Sequence, residues 1–418
     1  MLLFSHPTGN ANVRAALLGL LESRALKEFH TTLAAYPGNA WDQLGRTRWG
    51  REFQRRSYDQ RLRSVTVQHP FRELGRTLAS RLKLSSLIRH ETGPFCIDAV
   101  YQNLDQLVAR RLESATRHSS LATRSLRGVY AYEDGALASF LAARDLNLHR
   151  YYDLPIGYWR TARKLLAGEL ERWPAWQNTL TGFKDSPEKL ARKDAELATA
   201  SHIFVASSFT AKTLEDYPGN LSPVTVIPYG FPPISPEESS HRCRSTGRPL
   251  RVLFVGGLSQ RKGIADLFAA VRRLGNCVSL TLIGSKVTAE CPALDAELAR
   301  HRWIASLPHG QILEEMRAHD VLVFPSLFEG FGLVITEAMS QGTPVITTER
   351  TAGPDLITHG ENGWLIPAGN TEALVQQLEE LIANPEAVRA AGNAARKTAA
   401  ARPWSAYGRE LAEAVAKP

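Results

Sequence analysis

The chain has 418 residues, of which 44% are hydrophobic and 22% are charged, and its formal net charge is +8. One hydrophobic core rarely supports this length, so two domains of about 200 residues each are expected. The ordinary composition excludes a wholly disordered chain and a low-complexity fibre. The longest apolar runs, such as Val321–Pro325, are too short to cross a bilayer, and the N-terminal stretch lacks the features of a signal peptide. We therefore expect a cytoplasmic protein.

The first half of the chain alternates short apolar strands with amphipathic helices. It opens with a strand at Leu2–Ser5 and, after a loop, a helix for which Asn10 or Asn12 is a candidate N-cap. A strand, an acidic turn and a helix follow at residues 127–145, and a buried strand follows at Ile203–Ala206. This alternation predicts a parallel sheet with helices on both faces.

Arginine is concentrated in the segment Arg46–Arg63 of this half. Seven arginines alternate there with Trp49, Phe53 and Tyr58. Such a segment suits an anionic partner, namely a phospholipid surface, a lipid-linked phosphate or a nucleic acid. The alternative is a solvated helix face whose arginines form salt bridges. The first interpretation predicts peripheral association with the inner face of a membrane, although charge alone does not choose between lipid and nucleic acid.

The four cysteines are Cys96, Cys243, Cys277 and Cys291. They form no Cys-x-x-Cys pair, and no histidine lies near them at the spacing of a metal site. We expect reduced structural thiols.

Residues 233–249 are rich in proline, serine and charge and have no periodicity, which is typical of a linker. They separate a domain at residues 1–232 from a second at residues 250–400, where the strand and helix pattern restarts. The amphipathic segment 401–418 predicts a last helix that lies across either domain and could pack back on the first. The predicted fold class is therefore α/β, with two Rossmann-like doubly wound domains facing each other across a cleft. Ligands are expected at the carboxyl ends of the strands.

The turn with the clearest chemistry follows the buried strand Val321–Phe324 and precedes a helix that begins near Leu333. Gly330 and Gly332 lie in this turn, where a missing Cβ lets the backbone bend and approach a ligand closely. The free N–H groups and positive dipole at the helix start favour an anion, most often phosphate.

Two carboxylates, Glu329 and Glu337, stand eight positions apart around this turn. They would repel a phosphate unless they contact uncharged hydroxyls instead. A nucleotide sugar has the required layout, since its diphosphate lies between a ribose and a hexose. An earlier strand-turn-helix supplies cations that suit a diphosphate. These are Arg261 and Lys262, flanked by Gly256, Gly257 and Gly263.

Jointly, these motifs resemble those of a family 4 retaining glycosyltransferase of the GT-B fold. The matching stretches are VGGLSQRKG, LIG, PSLFEGFGLVITEAMSQGTPVI, GPDLI and ENGWLIP. Weaker similarity continues through ASHIFVASSF and VIPYGF in the first half, so the resemblance covers most of the chain. It implies that a nucleotide-sugar donor binds the C-terminal domain and that the N-terminal domain binds the acceptor.

Carried over by position, the resemblance implies a role for each motif residue. Glu329 contacts hydroxyls of the transferred sugar near the reaction centre, and Glu337 holds the ribose. Arg261 and Lys262 grip the diphosphate and, with Glu329, are the implied catalytic residues. Ser306 and Leu307 lie where such enzymes contact the nucleobase. The other implied donor contacts are Gly256, Gly257 and the backbone of Gly330, Phe331, Gly332 and Leu333.

The first domain departs from the family pattern at the cleft. Gly9 belongs to the loop that would face donor and acceptor. Tyr132 stands where a histidine often follows the matched strand, so Glu133 or Asp134 takes that role or the role is absent. His6, at the neighbouring strand end, is a further candidate, and the alternative for it is a satisfied or exposed histidine. In the second domain, Gly257 replaces a frequent arginine, so Arg261 is expected to supply that charge.

The implied mechanism is front-face displacement with retention of configuration, in which the leaving diphosphate accepts the proton of the acceptor hydroxyl. No Asp-x-Asp occurs, so neither a metal nor a cofactor is expected. The expected donor is a UDP- or GDP-hexose. The expected acceptor is a glycan or a lipid-linked molecule, in cell-surface polysaccharide or glycolipid synthesis.

Other functions agree with only some of these motifs. A sugar-nucleotide epimerase or a phosphorylase on this fold stays open, since a fold does not fix a reaction. A basic nucleic-acid-binding protein would explain the arginines but not the Glu-Gly-Phe-Gly turn, so no nucleic-acid partner is expected. Neither half carries GxGxxG after its first strand, and no Gly-Lys precedes Ser or Thr, which excludes a dehydrogenase and a P-loop nucleotidase.

Overall fold

The structure, a computed structural model, describes residues 1–47, 50–117, 126–234 and 247–417. Two parallel sheets, each flanked by helices, confirm the predicted α/β class with two doubly wound domains. Most of the predicted linker lies outside the described residues.

The first sheet is parallel, and its central strands carry mostly buried, apolar side chains, whereas its two edge strands are half-buried to exposed. Within the described residues the strands are β1 (Leu2–Ser5), β2 (Leu26–Thr31), β3 (Thr66–Gln68), β4 (Gly128–Tyr132), β5 (His149–Leu154), β6 (His202–Val205) and β7 (Val224–Val226). Their order across the sheet is β3-β2-β1-β4-β5-β6-β7. The connections diverge from β1 in opposite directions, so the loops after β1 and β4 border a crevice at a topological switch point.

The helices of the first domain follow its strands. They are α1 (Ala11–Glu22), α2 (Ala40–Gly45), α3 (Arg51–Gln54), α4 (Phe71–Arg81), α5 (Ile97–Arg117), α6 (Leu137–Asp145), α7 (Trp159–Arg172), α8 (Pro187–Thr199) and α9 (Ser208–Thr213). Asn10 occupies the N-cap position of α1, as predicted, but its side chain makes no capping hydrogen bond with the described residues.

The second sheet repeats this organisation. Its described strands are β8 (Leu250–Val255), β9 (Val278–Ile283), β10 (Arg302–Ile304), β11 (Val321–Phe324), β12 (Val345–Thr348) and β13 (Trp364–Ile366). The order is β10-β9-β8-β11-β12-β13, which places the switch point between β8 and β11. The loops after these two strands carry the basic turn of Arg261 and Lys262 and the glutamate turn of Glu329.

The helices of this part of the chain belong to the second domain, except for the last one, which packs on the first domain. They are α10 (Ile264–Leu274), α11 (Pro292–Leu298), α12 (His309–Ala318), α13 (Leu333–Ser340), α14 (Gly353–Leu356), α15 (Thr371–Ala383), α16 (Pro385–Ala401) and α17 (Trp404–Ala416). The predicted strands at Leu2–Ser5 and Val321–Phe324 and the helix start at Leu333 are confirmed. The predicted strand at Ile203–Ala206 begins one residue earlier, at His202.

The chain passes between the domains near Phe231 and again near Pro403. These two crossings lie side by side, because Phe231 and Pro403 form an isolated parallel bridge and the Phe231 N–H donates to the Arg402 carbonyl at 2.9 Å. After the second crossing, α17 packs along α1 of the first domain. The Tyr151 hydroxyl donates to the Val415 carbonyl at 3.2 Å and ties the end of α17 to the first sheet.

The contact between α1 and α17 depends on two glycines that let the helix backbones touch. A Cβ at Gly19 would overlap the carbonyl group of Gly408. We expect Gly19→Ala to lower the free energy of unfolding by about 1–3 kcal/mol, because neither backbone can move aside without disturbing a buried helix pair. Chemical denaturation measures this change.

The matched control is Gly168→Ala in α7, an exposed helical glycine with no described atom within 4 Å of an added Cβ. There the substitution should leave stability unchanged or raise it by about 0.4–1 kcal/mol. Equal stability of Gly19→Ala and wild type would contradict the close helix crossing.

Candidate active site

The candidate active site lies at the switch point of the second sheet, where the loops after β8 and β11 meet. Gly256 and Gly284 follow β8 and β9 with φ of 150° and 153°. A Cβ at Gly284 would overlap the backbone of Gly256, so close approach of the two loops requires glycine. At Gly257 an added Cβ would meet, among the described residues, one Val287 methyl at 3.4 Å. That loop therefore leaves open space where a ligand could lie.

The basic turn and the glutamate turn meet in one charged cluster. Arg261 donates through Nη1 to the Phe328 carbonyl at 2.8 Å and to Glu329 Oε2 at 3.1 Å. The Lys262 ammonium forms an ion pair with the same carboxylate oxygen, and its Nζ lies 4.8 Å from the centre of the Phe324 ring. The structure thus brings together the three residues that were predicted to be catalytic.

The surroundings of this cluster destabilise its positive charges. Burial lowers the pKa of Arg261, and burial together with the neighbouring guanidinium lowers the pKa of Lys262 well below its usual range. The carboxylate of Glu329 acts in the opposite direction on both groups. One carboxylate therefore holds two largely buried cations, an arrangement suited to exchange for another anion.

The turn after Glu329 leads directly into α13. Gly332 occupies the N-cap with φ of 88°, in the left-handed region that favours glycine, and it has no side chain to cap the helix. Leu333, as predicted, is the first helical residue. The Ile335 N–H donates to the Gly332 carbonyl at 2.9 Å, which leaves the N–H groups of Leu333 and Val334 for a ligand at the same edge of the sheet as the charged cluster.

Gly330 has a contact that the sequence did not predict. A Cβ there would overlap the backbone of Pro155 and Ile156 in the first domain. The Gly330 carbonyl also accepts hydrogen bonds from the hydroxyls of Ser207 at 2.5 Å and Thr210 at 2.8 Å. The missing side chain of Gly330 therefore makes room for the opposite domain, in addition to any ligand.

Phe331 connects this turn to the first domain through Tyr229. The two rings lie 4.8 Å apart, and the Tyr229 hydroxyl accepts a hydrogen bond from Asn12 Nδ2 at 3.1 Å. Tyr229 also packs against Tyr407 of α17, with ring centres 5.1 Å apart. In the sequence, Tyr229 stands only within the weakly matching stretch VIPYGF. Its contacts could not be inferred, because they join three distant segments.

Glu337 lies in α13, and its carboxylate forms a 2.9 Å contact with His309 Nε2 at the start of α12. This hydrogen bond raises the pKa of His309. Ser306 and Leu307 lie in the loop between β10 and α12, just before His309 in the chain. Ser306 is exposed and Leu307 is half-buried. His309 was not among the residues predicted from the sequence. His309 thus links the loop that was predicted to bind the base to the glutamate that was predicted to bind the ribose.

On the opposite side of the cleft, His6 and Tyr132 are buried at the ends of β1 and β4, with ring centres 4.6 Å apart. The Thr8 N–H donates to His6 Nδ1 at 3.0 Å. Burial lowers the pKa of His6 to about 3, so its ring is neutral. These contacts agree with the alternative interpretation of His6 as a satisfied histidine, and its role at the cleft stays a prediction.

Glu133 and Asp134 face α8 within the first domain. Glu133 lies 3.4 Å from Lys193 Nζ, and Asp134 lies 3.7 Å from both Arg192 and Lys193. Burial raises the pKa of the Glu133 carboxyl. These ion pairs account for both acidic side chains, and the hypothesis that one of them replaces the family histidine stays a prediction.

A cavity of about 350 Å³ opens beside Gly9, at the crevice of the first sheet. The missing Cβ of Gly9 lets the Tyr58 ring lie against the loop backbone, because a Cβ there would overlap that ring. Three arginines and one glutamate line the cavity, so its lining has more positive than negative charge, and Glu73 forms ion pairs with both Arg56 and Arg76. Its lining comprises Thr8, Gly9, Asn10, Leu33, Phe53, Arg55, Arg56, Glu73, Arg76 and Thr77.

The arginine-rich segment Arg46–Arg63 does not present its described aromatic residues to solvent. Phe53 and Tyr58 are both buried. Arg46 pairs with Asp42 at 2.8 Å, and Arg61 pairs with Asp59 and Glu22, each at 3.0 Å. The segment therefore fits the salt-bridged alternative better than a lipid-binding surface. Arg48 and Trp49 lie outside the described residues.

One group of possible metal ligands occurs in the described part of the chain. His90, Glu91 and Asp185 bring their ligand atoms within 4.8 Å of one another. Lys189 lies 3.3 Å from Asp185, and Glu91 accepts the Ser186 N–H at 3.0 Å. Ordinary helix-capping and ion-pair contacts thus explain this group. The described cysteines Cys96, Cys277 and Cys291 are free, and Cys243 lies outside the described residues.

The sequence profile of the family described as "Glycosyl transferases group 1" matches residues 237–398. The alpha-maltose-1-phosphate synthase of Mycobacterium tuberculosis is 30% identical over 289 residues, which cover 63% of this chain and 71% of that enzyme. The chain belongs to the group 1 glycosyltransferases.

Two further known proteins are similar to this glycosyltransferase. The amylovoran biosynthesis glycosyltransferase AmsK of Erwinia amylovora is 31% identical over 162 residues, covering 35% of this chain and 40% of AmsK. The structure of Anabaena HepE in complex with UDP-glucose superposes with a TM-score of 0.60 at 18% identity, over 99% of this chain and 98% of HepE. This glycosyltransferase therefore has the predicted GT-B fold. No helix in its described residues is long and apolar enough to span a bilayer.

Proposed function

We propose that this glycosyltransferase is a retaining family 4 enzyme that transfers a hexose from a UDP- or GDP-sugar to a glycan or lipid-linked acceptor. The observation that carries the proposal is the contact of Arg261 and Lys262 with the single carboxylate of Glu329, at the switch point of the second sheet. A diphosphate is the anion that this pair of cations suits, since a guanidinium fork and an ammonium together can neutralise its charge.

Donor binding then requires an exchange of partners at the cluster. The diphosphate replaces the carboxylate on Arg261 and Lys262, and the N–H groups of Leu333 and Val334 at the start of α13 add further donors. Glu329, released from the cations, is placed to accept hydrogen bonds from hydroxyls of the transferred sugar. Glu337 binds the ribose, and the loop with Ser306 and Leu307 contacts the base. The structure of HepE with UDP-glucose supports a donor of this class on this fold.

The chemical step is a front-face displacement. The bond between the anomeric carbon and the leaving phosphate oxygen breaks, and the acceptor oxygen bonds to the same carbon on the same face. The acceptor proton passes to the leaving phosphate. Arg261 and Lys262 stabilise the charge that develops on the diphosphate, and Glu329 positions the sugar. No step assigned to these residues uses a metal, so we propose that transfer is metal-independent.

The acceptor binds on the opposite side of the cleft, where the cavity beside Gly9 lies at the switch point of the first sheet. A role in surface polysaccharide or glycolipid synthesis agrees with the similarity to AmsK, whose name assigns it to amylovoran biosynthesis. We place this reaction in the cytoplasm, at the inner face of the membrane.

A donor screen tests the proposal. UDP-, GDP- and ADP-sugars are compared for thermal stabilisation and for hydrolysis, with and without EDTA. A bound donor at 100-fold excess over its dissociation constant should stabilise the protein by about 2.7 kcal/mol. Lys262→Ala should abolish this gain, whereas Lys397→Ala, at an exposed lysine of α16, should keep it.

Three outcomes would contradict parts of this proposal. If none of the sugars stabilises the protein or is hydrolysed, the donor assignment is wrong. Complete loss of activity with EDTA would refute metal-independence. Sugar release that depends on orthophosphate would instead indicate a phosphorylase.

A further inference from the structure

Helix α4 of the first domain exposes an apolar face that nothing in the described chain covers. Within the helix only Glu73 and Ala79 are buried. By contrast, Phe71, Leu78 and Leu82 are exposed by 73%, 58% and 59%. Their spacing of seven and four residues places them on one side of the helix. Exposed large side chains in a row, unlike single ones, mark an interaction site.

The apolar area continues beyond α4 at both ends. Leu84, just after the helix, and Ile97, at the start of α5, are also exposed. The Phe95 ring lies 6.1 Å from the Phe71 ring and packs against the backbone of Gly75, which links α4 to the start of α5. We call Phe71, Leu78, Leu82, Leu84 and Ile97 the α4 surface.

Basic residues surround the α4 surface. Apart from Arg76, which pairs with the buried Glu73, the segment 71–97 contains four of them, Arg72, Arg81, Lys83 and Arg89, against two carboxylates. Both carboxylates already have partners within the protein. Glu73 pairs with Arg56 and Arg76. Glu91 contacts His90 at 3.1 Å and accepts a hydrogen bond from the Ser186 N–H. The rim of the α4 surface is therefore positively charged.

We propose that the α4 surface docks on an anionic phospholipid bilayer. A basic helix with exposed Phe and Leu on one face is the pattern of elements that lie in the membrane interface, where the apolar side chains enter the acyl region and the cations meet lipid phosphates. Nucleic acid would use the arginines but not the leucines. The alternative lipid segment, Arg46–Arg63, lacks this combination because its described aromatics are buried.

The inner side of α4 gives docking a functional consequence. Glu73, Arg76 and Thr77 line the cavity beside Gly9, so one helix separates that cavity from the proposed bilayer. A lipid-linked acceptor could thus enter the cavity without leaving the membrane. This consequence rests on the proposed function, whereas docking itself does not.

Vesicle cosedimentation of the whole protein tests the proposal. Wild type should bind vesicles of phosphatidylcholine mixed with phosphatidylglycerol and should bind pure phosphatidylcholine at least about tenfold more weakly, since each lysine or arginine near an anionic surface adds about 1 kcal/mol. Raising the salt concentration should weaken binding to the mixed vesicles. Equal binding to both vesicle types, or none to either, would overturn the proposal.

The variant Phe71→Ser/Leu78→Ser/Leu82→Ser should bind the mixed vesicles about a hundredfold more weakly, given the apolar area that it removes. Leu141→Ser, at an exposed leucine of α6, is the matched control and should bind like wild type. The triple variant should keep the melting temperature of wild type, because its three side chains are more than half exposed.

The same variants distinguish bilayer docking from self-association of the protein. Sedimentation velocity that showed a wild-type dimer, with the triple variant monomeric, would reassign the α4 surface to self-association and overturn the proposal. Stabilisation by the nucleotide sugar should be equal in wild type and the triple variant. If vesicles bind and no nucleotide sugar stabilises the protein, the proposed function fails while the docking proposal stands.

Discussion

Glu329→Gln is expected to lower the rate of sugar transfer by about 10²–10³-fold, the range found when one preorganised polar contact to a transition state is removed. At a pH low enough to keep Lys262 protonated, it should not weaken binding of the nucleoside diphosphate product. In the structure, the Glu329 carboxylate already forms ion pairs with Arg261 and Lys262. Glutamine keeps the shape but removes the charge that competes with a diphosphate, so product affinity should stay equal or rise several-fold.

Calorimetric titration of the diphosphate and initial rates of transfer give the two quantities separately. Glu386→Gln, which removes an exposed charge paired with Arg389 on α16, is the matched control and should change neither. Parallel losses of transfer and of diphosphate affinity in Glu329→Gln would mean that the carboxylate organises the phosphate site itself. The assignment of Glu329 to the sugar would then be wrong.

Lys262→Met should differ from Glu329→Gln in losing diphosphate affinity as well as transfer, with the turnover rate down by about 10²–10³-fold. Methionine keeps the apolar stem that packs near Phe324 but removes the ammonium. Stability should change little or rise, because an apolar group replaces one member of a buried ion pair and Arg261 still holds Glu329. Near-normal turnover in Lys262→Met would refute the role of this lysine.

The pH dependence of binding adds a second measurement on the same lysine. Burial and Arg261 lower the pKa of Lys262, and only its protonated form attracts a diphosphate. Affinity should therefore fall as pH rises through that lowered pKa, and it should fall at lower pH in Glu329→Gln, which lacks the opposing carboxylate. Lys262→Arg stays charged and should show a flatter profile. Identical profiles in all three proteins would contradict protonation of Lys262 as the cause.

The second domain was largely predictable because its signals are local. The apolar run before the Glu329 turn and the two glycines after it fix the end of β11 and the start of α13 within a few residues. The meeting of Arg261 and Lys262 with Glu329 follows from the switch point, which puts the carboxyl ends of β8 and β11 side by side.

The first domain was less predictable because its contacts join distant segments. Phe53 and Tyr58 looked available to a membrane, yet the fold of the loops after β2 buries them. Glu133 and Asp134 face α8, which lies more than fifty residues later in the chain. Conversely, the spacing of Phe71, Leu78 and Leu82 is that of any core-facing helix, and only the tertiary structure reveals that this face is uncovered.

The two neighbouring crossings at Phe231 and Pro403 determine how the cleft can move. Two connections placed far apart would lock the domains together, and a single one would let them swivel in any direction. Here the pair is joined by a backbone hydrogen bond, and Arg402 further donates to the Pro228 carbonyl at 2.6 Å. We expect this narrow strip to act as one hinge axis, so that opening carries the Glu329 turn away from Pro155 and Ser207 by rotation about it.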